Sequence, residues 1–138
     1  MIRLLLLALG GALGTLARHG LNGLVTDGQS NRQGWAALFP LGTMMVNITG
    51  CFIIGLLAAW SGPALGRDWM KPHWRDLLMV GFCGGYTTFS SFGLQTLHLA
   101  RDGEWWLAAL NILGTNALCL VAVWLGWLCG RALPGHAG

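Results

Sequence analysis

The segment GFCGGYTTFSSF, residues 81–92, combines a flexible backbone with hydroxyl groups in a way that could hold an ion. It contains three glycines, two threonines and two serines within an otherwise apolar part of the chain. Adjacent glycines and β-branched threonines are poor helix formers, so the segment predicts a break in a helix. Inside a membrane such a break is tolerated only where the freed backbone groups meet protein, water or an ion. The freed carbonyl oxygens would form a small cation site.

Two phenylalanines in the same segment indicate a second kind of chemistry. Phe89 and Phe92 are three residues apart, which places their side chains next to each other on a helix. Aromatic rings carry partial positive charge at their edges. Ring edges along a narrow path would therefore favour an anion without binding it as tightly as a full charge would. The alternative is that both rings simply pack between helices.

The apolar parts of the chain contain hydrogen-bond donors but no carboxylates. None of the five acidic residues lies deep in an apolar stretch, whereas cation-coupled carriers generally need a membrane-embedded carboxylate. Arg18 adds one cationic group at the end of the first stretch. This set favours an anion over a cation as the transported species. The neutral donors are Thr43, Asn47, Thr49, Thr87, Thr88, Ser90, Ser91, Asn111, Thr115 and Asn116.

Helical spacing groups some of these donors. Thr43, Asn47 and Gly50 share one helix face, and Thr115 follows Asn111 by one helical turn. The alternative is that such residues only hydrogen-bond between helices, while small residues permit close packing. A carboxamide is costlier to leave unpaired in hydrocarbon than a hydroxyl, which can bond to its own helix. We therefore predict a functional role for Asn47.

Four long apolar stretches must position these groups. Only 9% of the 138 residues are charged, against about 25% in a soluble domain, so the composition is that of a membrane protein. Each stretch is close to the roughly 20 residues that cross a bilayer core, and tryptophans near the ends would form an interfacial belt. We predict a single all-α integral membrane domain, residues 1–138, with four transmembrane helices and a break in the third. The predicted spans are about 2–25, 35–60, 74–100 and 105–130, and the belt tryptophans are Trp35, Trp60, Trp69, Trp74, Trp105 and Trp106.

The remaining reactive residues favour neither catalysis nor a histidine or cysteine metal site. Cys51, Cys83, Cys119 and Cys129 fall within the spans without CxxC spacing, and we interpret them as packing residues. The four histidines are scattered near span ends or in tails, and we do not predict a metal site from them. The chain shows no catalytic constellation, which argues against an enzyme, and no basic cluster that would bind nucleic acid. An alternative for the first span is a signal peptide ending near Ala17.

Three segments together resemble the Fluc/CrcB family of fluoride channels: GGALGTLARHG, PLGTMMVNITG and GFCGGYTTFSSF, in this order and within four spans. The resemblance covers essentially the whole chain, and the third segment is highly specific. It implies a small subunit in the lipid bilayer that pairs with itself as an antiparallel homodimer of dual topology. It also implies two fluoride pathways and a structural Na+ at the dimer centre that is not transported. The implied function is passive export of fluoride ion across the cell inner membrane, which lowers fluoride in the cytoplasm.

The resemblance also implies roles for individual residues. Phe89 and Phe92 match the phenylalanines whose ring edges line the fluoride path, and Asn47 matches a pore asparagine. Gly84 and Thr87 match the residues whose backbone carbonyls hold sodium. The predicted pore is completed by Thr115 on the fourth span, by Arg18 near the vestibule, and by the hydroxyl residues Thr43, Thr88 and Ser91.

The chain departs from the family pattern at four positions. Ser91 replaces the usual threonine, and Tyr86 stands where leucine or phenylalanine is common. Gln95 stands where many members have glutamate, and Cys119 occupies a place often held by serine. The last two departures affect the expected polar path and leave the channel assignment unchanged.

Two other functions stay open from the residues alone. A small four-span exporter of the multidrug-carrier type also dimerises with dual topology, but it needs an embedded glutamate that this chain lacks. A structural membrane subunit would explain the small residues, but it would not explain Asn47 or the helix break. With both termini on one side, that side carries five Lys and Arg residues and the other side three, a split compatible with insertion in both orientations.

Overall fold

The computed structural model describes residues 1–29, 31, 33–61 and 70–132, and nearly all of them are helical. Four helical stretches are long and apolar enough to cross a membrane, which confirms the predicted all-α, four-span architecture. The stretches are Ile2–Gln29, Leu41–Trp60, Pro72–Arg101 and Trp105–Ala132. The predicted belt residue Trp69 lies outside the described residues, as do Arg32, Arg67, Asp68 and His136, which belong to the charged residues and histidines counted above.

The second predicted span, 35–60, is divided into two helices in the structure. A short helix, α2, ends at Leu38, and the membrane helix α3 begins at Leu41. Phe39 between them is extended (φ −74°, ψ 132°), because a following proline disfavours the helical conformation of the residue before it. Pro40 caps the start of α3. The helices of the first half are α1 (Ile2–Gln29), α2 (Trp35–Leu38) and α3 (Leu41–Trp60).

The third span is interrupted within the segment whose glycines and threonines predicted a break. Thr87 (φ −79°, ψ 156°) and Thr88 (φ −149°, ψ 113°) are both extended, and they separate two helical parts. The part before the break includes an eight-residue π-helix, a rare conformation that is frequent at functional sites. The elements of the second half are α4 (Pro72–Arg75), the π-helix (Asp76–Cys83), α5 (Gly84–Tyr86), α6 (Phe89–Arg101) and α7 (Trp105–Ala132).

Glycines let α3 and α7 pack backbone to backbone. A Cβ placed on Gly55 would meet the carbonyl oxygen of Val123, and one placed on Gly126 would meet that of Phe52. A Cβ placed on Gly130, one turn further along α7, would lie 2.8 Å from the Cβ of Ala59. Leu107 near the start of α7 packs in one cluster with Leu41 near the start of α3, whereas Gly130 meets Ala59 near the ends of both helices, so α3 and α7 are parallel neighbours. Small residues allow this close approach inside a membrane.

The first span packs in the same way against the part of the third span before the break. Gly10 and Gly14 of α1 face the carbonyl oxygens of Leu77 and Phe82, and neither position has room for a Cβ. At the end of this contact, Arg3 Nε donates to Asp76 Oδ2 at 2.5 Å. The outward faces of α1 and α7 are apolar and exposed, as lipid-facing surfaces are. Trp35, Trp74, Trp105 and Trp106 are exposed near helix ends.

Candidate functional site

The carboxamide of Asn47 pairs with the backbone of the broken third span. Asn47 Nδ2 donates to the carbonyl oxygen of Thr88 at 3.1 Å, and Asn47 Oδ1 accepts from the Thr88 N–H at 2.8 Å. Asn47 keeps only 9% of its surface exposed, so this cyclic pair satisfies a side chain that would be costly to leave unpaired. Asn47 therefore attaches α3 directly to the break. The partner lies 41 residues further along the chain, and no sequence signal pointed to it.

Thr88 also organises the start of α6. Its Oγ1 accepts from the Ser91 N–H at 3.2 Å, which is the usual hydrogen bond of a helix N-cap. The same oxygen lies 3.1 Å from Ser91 Oγ and 3.2 Å from Ser90 Oγ. Thr88 is thus held by α3 through its backbone and by the first turn of α6 through its side chain.

These bonds leave two backbone carbonyls without their helical donors. In a continuous helix the Thr88 N–H would donate to Gly84 and the Ser91 N–H to Thr87. Here the first donates to Asn47 and the second to the Thr88 hydroxyl. The N–H and the hydroxyl of Thr87 itself both donate to the carbonyl of Cys83, each at 2.9 Å.

The two freed carbonyls fit the sodium ligands that the family resemblance implies. Carbonyl oxygens suit hard cations, and the surface of Gly84 is exposed with open space where a side chain would be. Two oxygens are fewer than hard cations take, so this pair alone would not complete the coordination shell of a cation. Among the described residues, no group of three or more His, Cys, Asp or Glu side chains could hold a metal ion.

A cavity of about 540 Å³ brings most of the predicted site residues together beside the break. We call it the aromatic cavity because both predicted phenylalanines line it. Elements α3, α6 and α7 and the residues around the break all contribute to its wall. The predicted residues that line it are Asn47, Gly84, Thr87, Thr88, Phe89, Phe92 and Thr115.

The two phenylalanines lie side by side, as their spacing predicted. Their ring centroids are 5.3 Å apart with an angle of 43° between the ring planes. Their environments differ sharply: Phe89 is 79% exposed and Phe92 only 6%. Phe92 is therefore part of the packing of the subunit, whereas Phe89 presents its ring at the surface of the chain.

A chain of hydrogen bonds connects the fourth span to α6. Thr115 Oγ1 donates to Asn111 Oδ1 at 3.1 Å, and Asn111 Nδ2 donates to Thr96 Oγ1 at 2.8 Å. Thr96 Oγ1 in turn donates to the carbonyl of Phe92 at 2.8 Å. Sequence spacing identified Asn111 and Thr115 as a pair, but it missed Thr96, because the contact joins two different helices.

The other predicted pore residues line a second cavity of about 260 Å³. We call it the polar cavity, since Arg18, Thr43, Ser91 and Gln95 are among its walls. Thr43 and Asn47 share a helix face in the sequence, yet the structure places Thr43 in the polar cavity and Asn47 in the aromatic one. Gln95 Oε1 is buried and has no hydrogen-bond partner among the described residues. Thr88 lines both cavities and so forms part of the wall between them.

Comparisons with known proteins point to a single family. The family model described as CrcB-like protein, Camphor Resistance (CrcB), matches residues 5–127, from α1 into α7. A relative from Opitutus terrae, named fluoride-specific ion channel FluC, is 48% identical over 134 residues, which cover 97% of this chain and 96% of the relative. A relative of the same name from Paramagnetospirillum magneticum is 45% identical and covers 91% of this chain and 93% of its own. One from Coxiella burnetii is 41% identical and covers 96% and 100%.

The similarity extends over all four membrane helices and includes the broken third span. The resemblance that the three sequence segments indicated is thereby confirmed. The chain belongs to the CrcB-like family of membrane proteins.

Proposed function

We propose that this protein is a passive, fluoride-selective channel of the cell inner membrane that exports fluoride from the cytoplasm. Membership of a family whose matched relatives are named fluoride-specific ion channels carries this proposal. The four membrane helices give the multi-pass anchoring that such a channel needs. The proposed activity is transport without a chemical reaction.

The two cavities support a route for the anion. Fluoride would enter the polar cavity, where the guanidinium of the half-buried residue Arg18 and the hydroxyls of Thr43 and Ser91 favour a small anion. It would pass Thr88, which borders both cavities, and reach the ring edges of Phe89 and Phe92 and the hydroxyl of Thr115. Asn47 shapes this route by fixing Thr88 with both ends of its carboxamide.

We also propose that a structural Na+ binds at the break. The carbonyls of Gly84 and Thr87 would hold it, since the donors they would meet in a continuous helix are diverted to side chains. When bound, the ion supplies fixed positive charge near the anion route, where charges interact strongly at low dielectric. Fluoride efflux in medium with choline in place of Na+ tests this point: we expect the flux to stop, and undiminished flux contradicts it.

We further propose that two copies assemble as an antiparallel homodimer. Gly84 and Phe89 are exposed near the break, and the two carbonyls of one chain are too few for a cation, so a second copy would complete the site. The test uses a variant without its native cysteines and with Asp102→Cys in the exposed turn before α7. An impermeant thiol reagent should label part of this position in right-side-out vesicles and part in inside-out vesicles, and labelling in only one kind of vesicle contradicts dual topology.

Fluoride efflux from liposomes that contain the purified protein tests the channel itself. A fluoride electrode should report fast loss of fluoride, and a chloride electrode should report no loss of chloride. We expect Phe89→Ile and Asn47→Asp to weaken the fluoride flux. Absence of fluoride flux from a folded dimer in sodium-containing buffer would overturn the proposal.

A further inference from the structure

Three cysteine side chains open onto the aromatic cavity. Cys51 of α3, Cys83 of the π-helix and Cys119 of α7 line it together with the proposed pore residues. All three are free thiols. Sequence spacing treated them as separate packing residues, because their positions along the chain are far apart. In the folded chain they border one space.

Cys51 and Cys119 form a pair across the contact between α3 and α7. Cys51 follows Asn47 by one helical turn, and Cys119 follows Thr115 by one turn, so the pair lies one turn beyond two residues of the same cavity. One turn further, Gly55 meets the backbone of Val123, which keeps the two parallel helices in close contact. Cys51 and Cys119 therefore lie at the same level of this contact, and both border the aromatic cavity. Both residues are half-buried.

The donor atoms near this pair are chemically soft. The third thiol, Cys83, and the thioether of Met79 line the same cavity. No carboxylate and no imidazole is among the described residues that line it. Soft sulfur ligands select soft cations such as Cu+, whereas hard cations prefer oxygen. The sulfur pair and the freed carbonyls of Gly84 and Thr87 therefore suit different classes of ion.

We propose that Cys51 and Cys119 form a two-coordinate binding site for a soft monovalent cation of the Cu+ and Ag+ class. The cation replaces the proton of one thiol and bonds to the resulting thiolate. It accepts a lone pair from the second thiol, which keeps its proton. The displaced proton leaves to water, and no electron is transferred. The complex carries no net charge, which suits a cavity between membrane helices.

An occupied site would obstruct the anion route. The pair borders the cavity that Phe89, Phe92 and Thr115 also line, so a bound cation and its bonds reduce the space open to fluoride. We expect a soft cation to inhibit the channel from this site. This part of the inference rests on the proposed function, whereas the binding itself does not.

Binding is tested with AgNO₃ on the purified protein in chloride-free detergent buffer. All variants carry Cys129→Ser, which removes the exposed thiol outside the cavity. Titration with a Ag+ electrode should give one tight site per chain with release of one proton. Cys51→Ser and Cys119→Ser should each weaken binding at least tenfold, and the matched control Cys83→Ser should keep the tight site. Equal affinity in all variants overturns the proposal.

Thiol protection provides a second measurement that needs only the Cys129→Ser protein. Bound Ag+ should slow the reaction of Cys51 and Cys119 with N-ethylmaleimide, as read by mass spectrometry of the peptides. Modification of both residues at the same rate with and without Ag+ also overturns the site.

Liposome efflux separates this proposal from the proposed function. Ag+ in gluconate medium should block fluoride efflux through the Cys129→Ser protein and should block it at least tenfold less effectively after Cys51→Ser. Tight Ag+ binding in a protein that conducts no fluoride contradicts the channel and leaves the site standing. Normal fluoride flux that Ag+ inhibits equally in both proteins contradicts the site and leaves the channel standing.

Discussion

The hydroxyl of Tyr86 lies 2.8 Å from Thr49 Oγ1 and joins the last residue before the break to α3. Thr49 already donates its only hydroxyl proton towards the carbonyls of Met45 and Val46, at 2.8 and 3.1 Å. Tyr86 must therefore be the donor in the contact with Thr49. Asn47, two residues earlier on α3, holds Thr88 after the break. One short part of α3 thus fixes the chain on both sides of the interruption.

Removal of the Tyr86 hydroxyl should cost little. Tyr86→Phe deletes one hydrogen bond and leaves Thr49 bonded to its own helix, so we expect a loss of about 1 kcal/mol in stability. Thr49→Val should cost more, up to about 3 kcal/mol, because it leaves a buried phenol O–H without an acceptor. Thermal unfolding of both variants in detergent measures the difference. A Thr49→Val protein no less stable than Tyr86→Phe would contradict the assigned donor.

Asn47→Asp should destabilise the subunit as well as weaken fluoride flux. A carboxylate can accept from the Thr88 N–H, but it cannot donate to the Thr88 carbonyl, so two acceptor oxygens would face each other. An unsatisfied buried group costs about 1–3 kcal/mol, and the added charge increases the penalty. The control is Asn116→Asp, since Asn116 is exposed and, among the residues that the structure describes, bonds only to the Ile112 carbonyl of its own helix. Equal loss of thermal stability in the two variants would show that the Thr88 pairing contributes nothing.

Gly126→Ala should separate α3 from α7. The new methyl group would collide with the backbone carbonyl of Phe52, which cannot rotate away, and overpacking of this kind costs about 1–3 kcal/mol. Gly20→Ala is the matched control, because Gly20 has open space at its Cβ position and alanine is the better helix former. We expect the thermal midpoint to fall for Gly126→Ala and to stay equal or rise for Gly20→Ala. A higher thermal midpoint for Gly126→Ala than for Gly20→Ala would contradict the close packing of α3 against α7.

The two phenylalanines should respond differently to Ala substitution. Phe92→Ala leaves a cavity inside the subunit and should lower its stability by about 2 kcal/mol or more. Phe89→Ala removes a mostly exposed ring, so the stability of the isolated chain should change little. Both variants should reduce fluoride efflux if both ring edges line the route. Efflux and thermal unfolding are measured on the same preparations, and normal efflux from Phe89→Ala would remove that ring from the proposed route.

Local sequence features were sufficient to predict the membrane spans and the position of the helix break. Apolar length predicted four membrane helices, and the adjacent glycines and threonines placed the interruption at Thr87 and Thr88. The second span began later than predicted, because hydropathy does not register the effect of Pro40 on the backbone of Phe39.

Contacts between helices could not be predicted in the same way. The cost of an unpaired carboxamide identified Asn47 as important, but its partner depends on how α3 meets the third span. Thr43 shares a helix face with Asn47 and still lines a different cavity, because Thr88 and its neighbours separate the two spaces. Cys51 and Cys119 come to border the same cavity through the parallel packing of α3 and α7, which the periodicity of a single helix does not predict.

The pairing of Asn47 with Thr88 has a consequence for the biogenesis of the protein. A ribosome makes the chain from its N-terminus, so α3 has left it before the third span is complete. When Thr88 enters the bilayer, the carboxamide that takes its N–H and carbonyl is already present in the membrane. The unwound backbone can therefore be satisfied on arrival, without a period in which bare polar groups face lipid. Because α3 precedes the third span in the chain, Asn47 is in the membrane before the interrupted span needs it.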